Sequence, residues 1–144
     1  MARPAKKLPA MTLAEWGDRD EDAEGELVDG IVEEEEMPTT LHEIVVMWLA
    51  ARLDAWARKH GARAFGSELK IGVGPRTGRK PDVSVFSRED FPPLDVAVVR
   101  TTPLLVIEVL SPRPRDQRRD RVDKLRDYAR AGARNYWIVD PQLR

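Results

Sequence analysis

Hydrophobic periodicity divides the chain into helical and strand-like segments. Between Leu41 and Trp56, apolar residues recur at spacings of three and four, which predicts a helix over about 40 to 60 with one buried stripe. Thr40 and Glu43 match a capping box at its start, and Gly61 is suited to end it. The stripe comprises Leu41, Ile44, Val45, Trp48, Leu49 and Trp56, and we expect both tryptophans in the core.

Short apolar runs with strand character surround this helix. Glu26–Val28 and Ile31–Glu33 flank Asp29-Gly30, a dipeptide that favours a tight turn, which predicts an N-terminal β-hairpin. Further strands are predicted over 64–73, 81–86, 102–110 and 135–140, and the first two of these are expected to form a hairpin around a turn at 74–78. The strand at 102–110 is the most apolar, so it should be central and covered on both faces.

A second long helix is predicted over 116–131. Val122, Leu125 and Ala129 share one face, which we expect to pack inward, and Gly132 suits a left-handed cap. The resulting order of helix, three strands, helix and strand predicts an α/β (α+β) fold, a mixed sheet flanked by helices with a crossover to the last strand. Residues 1–11 are expected to be a flexible arm before a single domain over 12–144, whose first element is a short helix at 12–16.

Composition narrows the class of protein. A chain of 144 residues is long enough for one domain with its own core. The absence of cysteine excludes thiolate catalysis, cysteine-based zinc sites and a disulfide scaffold, and is compatible with a reducing cytosol. No apolar run reaches 18 residues and no signal peptide is evident, so we expect a cytoplasmic protein with no membrane partner.

The charged residues are segregated along the chain. Residues 13–36 hold twelve acidic groups and one base, whereas residues 113–134 hold nine bases and four acids, a net charge of +5. The basic segment predicts contacts with nucleic-acid phosphates through Arg113, Arg115, Arg118 and Arg119. A solvated helix face with salt-bridge spacing is the alternative interpretation.

Two carboxylates interrupt otherwise apolar strands. Asp82 lies in Pro81-Asp82-Val83-Ser84-Val85, and Glu108 lies in Leu105-Val106-Ile107-Glu108-Val109. A buried charge is costly unless it is paired or binds a metal, so these positions predict a shared Mg²⁺ site, with Mn²⁺ as substitute. The alternative is that Asp82 caps a turn and Glu108 pairs with an arginine.

Polar residues on the second long helix suggest a partner for these carboxylates. Asp120, Lys124 and Tyr128 follow in steps of four and share a face opposite Val122 and Leu125. If that face meets the carboxylates, Lys124 can position or activate an attacking water or stabilise developing charge, with Asp120 and Tyr128 in support. An exposed Asp120–Lys124 ion pair is the alternative.

Other chemistries fit the sequence less well. His42, at the start of the first long helix, is a candidate base or hydrogen-bond donor for the same site, or else a partly buried structural group. Ser111 lacks the Gly-x-Ser-x-Gly context of a nucleophile, and only two histidines are present. The glycines form no phosphate loop or dinucleotide fingerprint, so we expect no organic cofactor.

These motifs, in this order, resemble the Uma-two family, restriction-endonuclease-like proteins of the PD-(D/E)XK nuclease superfamily. The resemblance covers about residues 26 to 141. It is carried by Asp29-Gly30, His42, Pro81-Asp82-Val83-Ser84-Val85, Val106-Ile107-Glu108-Val109-Leu110-Ser111-Pro112, Asp120, Lys124, Tyr128, Gly132 and Tyr136-Trp137-Ile138-Val139-Asp140-Pro141. It implies the superfamily core of a mixed sheet flanked by helices.

The resemblance also implies roles for individual residues. Pro81-Asp82 matches the first acidic motif, and Glu108-Val109-Leu110 occupies the place of the (D/E)XK tripeptide. Leu110 stands where that tripeptide has its lysine, so Lys124 is identified as a relocated lysine, with Lys80 as a rival. Family members usually continue with further strands after this point, so we expect either a fragment truncated at its C-terminus or a short member.

Taken together, the residues and the resemblance predict a Mg²⁺-dependent endonuclease that hydrolyses DNA, with Ser111 among the supporting residues. One alternative is a catalytically weakened module that binds nucleic acid or a protein partner without cutting. A structural or dimerisation domain is another, and a homodimer is left open.

Overall fold

The computed structural model describes residues 10–20, 24–35 and 37–142, leaving aside the side chain of Arg115. The predicted arm therefore lies outside the described residues up to position 9. The helices are α1 (Leu13–Gly17), α2 (Thr40–Arg58), α3 (Pro114–Arg118) and α4 (Lys124–Arg130), with a π-helical turn at Arg119–Asp123. The strands are β1 (Glu26–Val28), β2 (Ile31–Glu33), β3 (Arg63–Phe65), β4 (Ile71–Gly74), β5 (Thr77–Arg79), β6 (Val83–Phe86), β7 (Leu105–Val109) and β8 (Asn135–Val139).

The strands form two four-stranded sheets. The main sheet has the order β3-β6-β7-β8, in which β7 and β8 are parallel and the other neighbours are antiparallel. The smaller sheet has the order β2-β1-β5-β4 and is antiparallel. The predicted mixed sheet, the crossover to the last strand and the N-terminal hairpin are confirmed, and all five residues of β7 are buried. No helix among the described residues is long and apolar enough to span a membrane.

The prediction of one strand over 64–73 is wrong. Its beginning, β3, pairs with β6 in the main sheet, while its end, β4, pairs with β5 in the smaller sheet. The predicted turn at 74–78 therefore leads into β5 rather than into β6. A continuous apolar pattern along the chain cannot show that the chain passes from one sheet to another, because each half satisfies the strand pattern by itself.

The caps follow the predicted chemistry with one shift. Asp29 and Gly30 both adopt positive φ, of 48° and 81°, as a tight hairpin turn requires. The residue that caps α2 is Thr39, not Thr40, because the side chain of Thr39 accepts a hydrogen bond from the amide of His42 at 3.1 Å. Gly61 and Gly132 end their helices with positive φ, as expected.

The inward face of α2 includes only Val45 and Leu49 of the predicted stripe. Val46 and Ala57 are buried against Val83, Val85 and Ile107 of the main sheet, with Leu49 and Leu53 packed beside them. Leu41, Ile44, Trp48 and Trp56 are exposed instead, the two tryptophans by 56% and 48%. Two apolar stripes run along this helix, and only the neighbouring sheet decides which of them is buried.

The second long helix also presents the opposite face from the one predicted. Val122 and Leu125 are exposed by 51% and 45%, and Ala129 is exposed as well. Asp120, Lys124 and Tyr128 face inward and are buried. The expectation that Val122, Leu125 and Ala129 pack inward is therefore wrong.

The smaller sheet is held against the rest of the chain by Trp16. This side chain is completely buried with Leu13, Leu27 and Val98, and its indole donates to the carbonyl of Gly25 at 3.1 Å. The ring lies so close to β5 that a Cβ on Gly78 would come within 2.2 Å of it. This packing fixes β1 and β5, which carry two side chains into the site described below.

Candidate active site

The pairing of β6 with β7 places Asp82 and Glu108 together. The register pairs Val83 with Ile107 in antiparallel fashion, so one further step brings Asp82 opposite Glu108. Asp82 also accepts a hydrogen bond from the amide of Val109 at 2.7 Å, which holds the two chain segments in contact. The turn-capping interpretation of Asp82 is thus not what the structure shows.

Glu108 lies in a buried polar pocket on the side of the sheet that faces α4. Its carboxylate accepts from the hydroxyl of Tyr128 at 3.0 Å and lies 3.1 Å from the ammonium of Lys124. Burial raises the pKa of Glu108 well above its ordinary value, Lys124 opposes this rise, and Asp82 adds to it. Its partner is therefore a lysine rather than the arginine considered as an alternative.

Lys124 is surrounded by carboxylates. Its Nζ atom lies 3.1 Å from Glu108, 3.0 Å from Asp120 and 3.9 Å from Glu26. Burial by itself would lower the pKa of Lys124. The carboxylates of Glu108, Glu26 and Asp120 outweigh that effect and raise the pKa well above its ordinary value. The Asp120–Lys124 pair is buried rather than exposed, with 1% and 6% of each residue accessible.

The π turn between α3 and α4 aligns the polar side chains. Asp116, Asp120, Lys124 and Tyr128 are all buried and follow in constant steps of four. In a regular α-helix each step of four drifts by about 40° around the axis, because a residue turns the chain by about 100°. The wider π turn at Arg119–Asp123 interrupts this drift, so that the stripe continues to face the sheet.

His42 reaches the same site from the first turn of α2. Its Nε2 atom lies 3.3 Å from Asp82 Oδ2, and the imidazole is mostly buried. The hydrogen bond to Asp82 raises the pKa of His42 to about 9, against the opposing effect of burial. The ring is therefore protonated at neutral pH, which suits a hydrogen-bond donor to Asp82 better than a general base.

Two site residues on the smaller sheet were missed by sequence reasoning. Leu27 pairs with Gly78, so the neighbouring Glu26 stands opposite Arg79, and the two side chains form an ion pair of 3.0 Å. Arg79 also binds Asp127 of α4 at 2.8 Å. Burial by itself would lower the pKa of Arg79, but the carboxylates of Glu26 and Asp127 raise it above its usual value. The pairing spans 53 residues of sequence, and no local pattern signals it.

A cleft of about 290 Å³ opens onto these side chains. Its lining includes His42, Asp82, Glu108 and Lys124, together with further acidic residues. Lys80, the rival for the lysine role, lies in the same cleft, but its ammonium lies 3.1 Å from Glu35 and 3.3 Å from Glu68. Neither Glu35 nor Glu68 contacts Glu108, so Lys124, and not Lys80, is the lysine that contacts Glu108.

The four arginines predicted to contact nucleic acid lie around α3. Arg113 and Arg118 are exposed, whereas Arg119 is half-buried, lines the cleft and donates to the carbonyl of Glu34 at 3.2 Å. The side chain of Arg115 lies outside the described residues. Arg119 thus joins the basic segment to the site.

Ser111 has a local role in the connection from β7 to α3. Its hydroxyl donates to Asp116 at 3.1 Å and accepts from the amide of Arg113 at 3.2 Å. Its carbonyl accepts from the side chain of Gln117 at 3.0 Å. These bonds shape the turn that follows Glu108.

The donor atoms of this site suit a hard divalent cation. Among the described residues, no group of three or more His, Cys, Asp and Glu side chains is arranged to hold a metal ion by itself. Mg²⁺, however, is usually held by one or two carboxylates and keeps several water ligands. Asp82 and Glu108 offer such a pair. Burial raises the pKa of Glu108, and the nearby carboxylates of Asp82, Asp120 and Glu26 add to the rise, so a bound cation would stabilise the ionised carboxylate.

Comparisons with known proteins agree with this architecture. A family model described as "Uma2: Putative restriction endonuclease" matches residues 10–144. The fold is similar to a solved structure, described as a "putative nuclease belonging to DUF820 from Anabaena variabilis ATCC 29413", with a TM-score of 0.72. The two sequences are 24% identical, and the match covers 93% of this chain and 82% of that chain. No curated protein matches the chain.

The first of these matches confirms the family resemblance identified from the motifs. The second confirms the restriction-endonuclease-like fold, since a likeness at this identity bears on the fold alone.

Proposed function

Because the chain belongs to the Uma2 family, whose model spans residues 10–144, we propose that it is a metal-dependent endonuclease acting on DNA phosphodiester bonds. The observation that carries the proposal is the contact of 3.1 Å between Lys124 and Glu108, with Asp82 opposite Glu108 on the neighbouring segment of chain. An acidic pair with an adjacent cation is the arrangement that phosphodiester hydrolysis needs, since both the water and the phosphate must be oriented and their charge neutralised.

Asp82 and Glu108 would hold a Mg²⁺ ion in this proposal. When bound, such an ion makes water a better nucleophile and neutralises charge on the phosphate. His42 donates to Asp82 and so fixes the orientation of that carboxylate, and Tyr128 does the same for Glu108. Both contacts reduce the freedom of the two acidic side chains before any ion arrives.

Lys124 acts as a fixed positive charge rather than as a base. Its pKa lies well above the ordinary value, so the ammonium keeps its proton at neutral pH. A permanent ammonium cannot accept a proton from water, but it donates hydrogen bonds and stabilises negative charge that develops on the phosphate. Of the roles considered for Lys124, the geometry therefore favours charge stabilisation and the positioning of water.

We expect Mn²⁺ to bind to the wild-type chain and to bind far more weakly when either member of the carboxylate pair is changed. Asp82→Asn or Glu108→Gln should weaken binding by at least about 10-fold, since even an outer-shell partner of a metal contributes that much. Isothermal titration calorimetry measures the affinity, and cleavage of a plasmid with and without Mg²⁺ measures the associated activity.

Glu68→Gln is a matched control for this experiment. The Glu68 side chain also lines the cleft, but it is 88% exposed and bonds Lys80 instead of the central group. The affinity of the Glu68→Gln variant for Mn²⁺ should stay close to that of wild type. Unchanged affinity in Asp82→Asn or Glu108→Gln would refute the shared site. DNA binding without any cleavage would favour the module that binds without cutting.

The basic segment should make DNA binding sensitive to salt. Each phosphate contact contributes a slope of about −0.9 to the plot of log affinity against log salt concentration. We expect Arg118→Ala and Arg119→Ala each to reduce the magnitude of the slope by about one contact and to weaken binding uniformly across DNA sequences. Fluorescence anisotropy with labelled duplexes at several salt concentrations measures both effects.

Arg88→Ala provides the comparison. Arg88 is an exposed arginine that follows β6 at the end opposite to Asp82, away from the cleft. Its substitution should leave the slope unchanged. A salt-independent affinity, or equal losses in all three variants, would contradict the assignment of the contact to this segment.

A further inference from the structure

The outward face of α2 is apolar along most of its length. Leu41, Ile44, Trp48, Ala51 and Ala55 follow at spacings of 3, 4, 3 and 4, and we call this row the α2 seam. All five are exposed: Leu41 by 40%, Ile44 by 61% and Trp48 by 56%. Met47 lies beside the seam and is exposed by 71%. The described part of the chain therefore leaves this row accessible to solvent.

The spacing of the α2 seam is that of helices that pair side by side. Alternating steps of three and four place apolar residues along a narrow stripe that meets the same stripe on another helix. The opposite face of α2 is occupied by the main sheet through Val46 and Ala57. The helix therefore has one face for its own core and a second face with the geometry of a helix-to-helix contact.

The distribution of side-chain size along the seam favours a second copy of α2 in antiparallel orientation as the partner. Its first half carries the large residues Leu41, Ile44 and Trp48, and its second half carries the small residues Ala51 and Ala55. In an antiparallel pair of identical helices, Trp48 lies opposite Ala51 of the other copy, and Ile44 lies opposite Ala55. Large side chains then meet small ones on both sides of a twofold axis, as close packing requires.

The charges at the two ends of α2 favour the same arrangement. The first turn contains the acidic Glu43, and the basic residues Arg58 and Lys59 lie at the C-terminal end. Antiparallel pairing brings the acidic end of one copy next to the basic end of the other, and it also opposes the two helix dipoles. Parallel pairing would bring the basic ends together. Arg52 lies beside the seam with its guanidinium 4.8 Å from the centre of the Trp48 ring.

We propose that the α2 seam is the interface of a homodimer in which two copies of α2 pair in antiparallel fashion about a twofold axis. Such an interface is self-complementary and closes on itself, so the assembly stops at two copies. The α2 seam lies on a different face of the helix from the cleft residue His42, and the proposal does not depend on nuclease activity.

The oligomeric state of the full 144-residue chain tests the proposal. We expect sedimentation velocity over a range of concentrations to show a dimer that dissociates on dilution. Ile44→Glu should raise the dissociation constant by more than about 100-fold, because a symmetric interface would bury the unpaired carboxylate twice. Leu94→Glu is the matched control, since Leu94 is a 91% exposed apolar residue outside α2 and should leave the dimer intact.

Engineered cysteines test the orientation, and the absence of native cysteine makes the result unambiguous. A chain carrying both Ile44→Cys and Ala55→Cys should form a disulfide-linked dimer under mild oxidation. Each single variant should not, because in the antiparallel pair the two copies of residue 44 lie about 16 Å apart, at about 1.5 Å per residue. Thermal unfolding of each variant establishes that it is folded.

Three results would overturn the proposal. The first is a wild-type chain that stays monomeric at all concentrations. The second is a dimer that Ile44→Glu and Leu94→Glu affect equally. The third is efficient cross-linking of Ile44→Cys alone, which would place identical residues together and exclude the antiparallel arrangement.

Discussion

Lys124→Met is expected to lower the rate of DNA cleavage by about 10²- to 10³-fold, the loss typical of removing one group that stabilises charge in the transition state. Methionine preserves much of the length and volume of lysine but removes the positive charge beside Glu108 and Asp120. Single-turnover cleavage of a DNA substrate at saturating Mg²⁺ measures the chemical step.

The same substitution should have the opposite effect on metal affinity. Without the ammonium, no lysine balances the negative charge of Glu108 and Asp120. Mn²⁺ should therefore bind more tightly to the variant than to wild type. The metal-free chain should lose stability, because removing one partner of a buried ion pair costs about 3–5 kcal/mol.

Lys80→Met is the control for Lys124→Met. Lys80 lies in the same cleft, but its partners are Glu35 and Glu68, so its loss should mainly weaken DNA binding and leave the chemical step nearly unchanged. Full activity in Lys124→Met, or a greater loss of rate in Lys80→Met, would transfer the role to Lys80.

Arg79→Met is expected to destabilise the chain by about 3–5 kcal/mol, a large part of the 5–15 kcal/mol that usually separates folded and unfolded states. Arg79 is only 1% exposed and binds Glu26 on β1 and Asp127 on α4. Its removal leaves the carboxylates of Glu26 and Asp127 without this partner. Urea unfolding followed by circular dichroism measures the change in free energy.

Arg76→Met is a matched control in the same hairpin. Arg76 is exposed and donates to the carbonyl of Ala10, so its loss should change the free energy of unfolding by less than about 1 kcal/mol. Equal stabilities of the Arg79 and Arg76 variants would show that the buried ion pairs do not hold the smaller sheet to α4.

The central carboxylates were identifiable from sequence because their signal is local. A charged residue within an apolar strand segment is unusual at Asp82 and at Glu108, whatever the rest of the fold. The steps of four from Asp120 to Tyr128 likewise showed that these side chains share a helix face. The contact between Lys124 and Glu108 agrees with that reasoning, although the packing expected for Val122 and Leu125 was the reverse.

Burial of a helix face is decided by what packs against it. Both long helices have apolar residues on the exposed side, so periodicity alone selected the stripe of Trp48 in α2 and of Val122 in the second helix. In α4 the inward face carries charges that are stabilised only because Glu108, Glu26 and Asp120 surround Lys124. A polar stripe can face inward when its partners come from other elements.

The sequence by itself determined the hairpin turn at Asp29-Gly30, the helix ends at Gly61 and Gly132, and the two acidic positions at Glu108 in β7 and at Asp82 directly before β6. All of these depend on interactions between residues close in the chain. The tertiary structure decided how the predicted strand at 64–73 divides between two sheets and how Glu26 and Arg79 join the site. Those outcomes depend on contacts between distant segments, whose free energy no local pattern records.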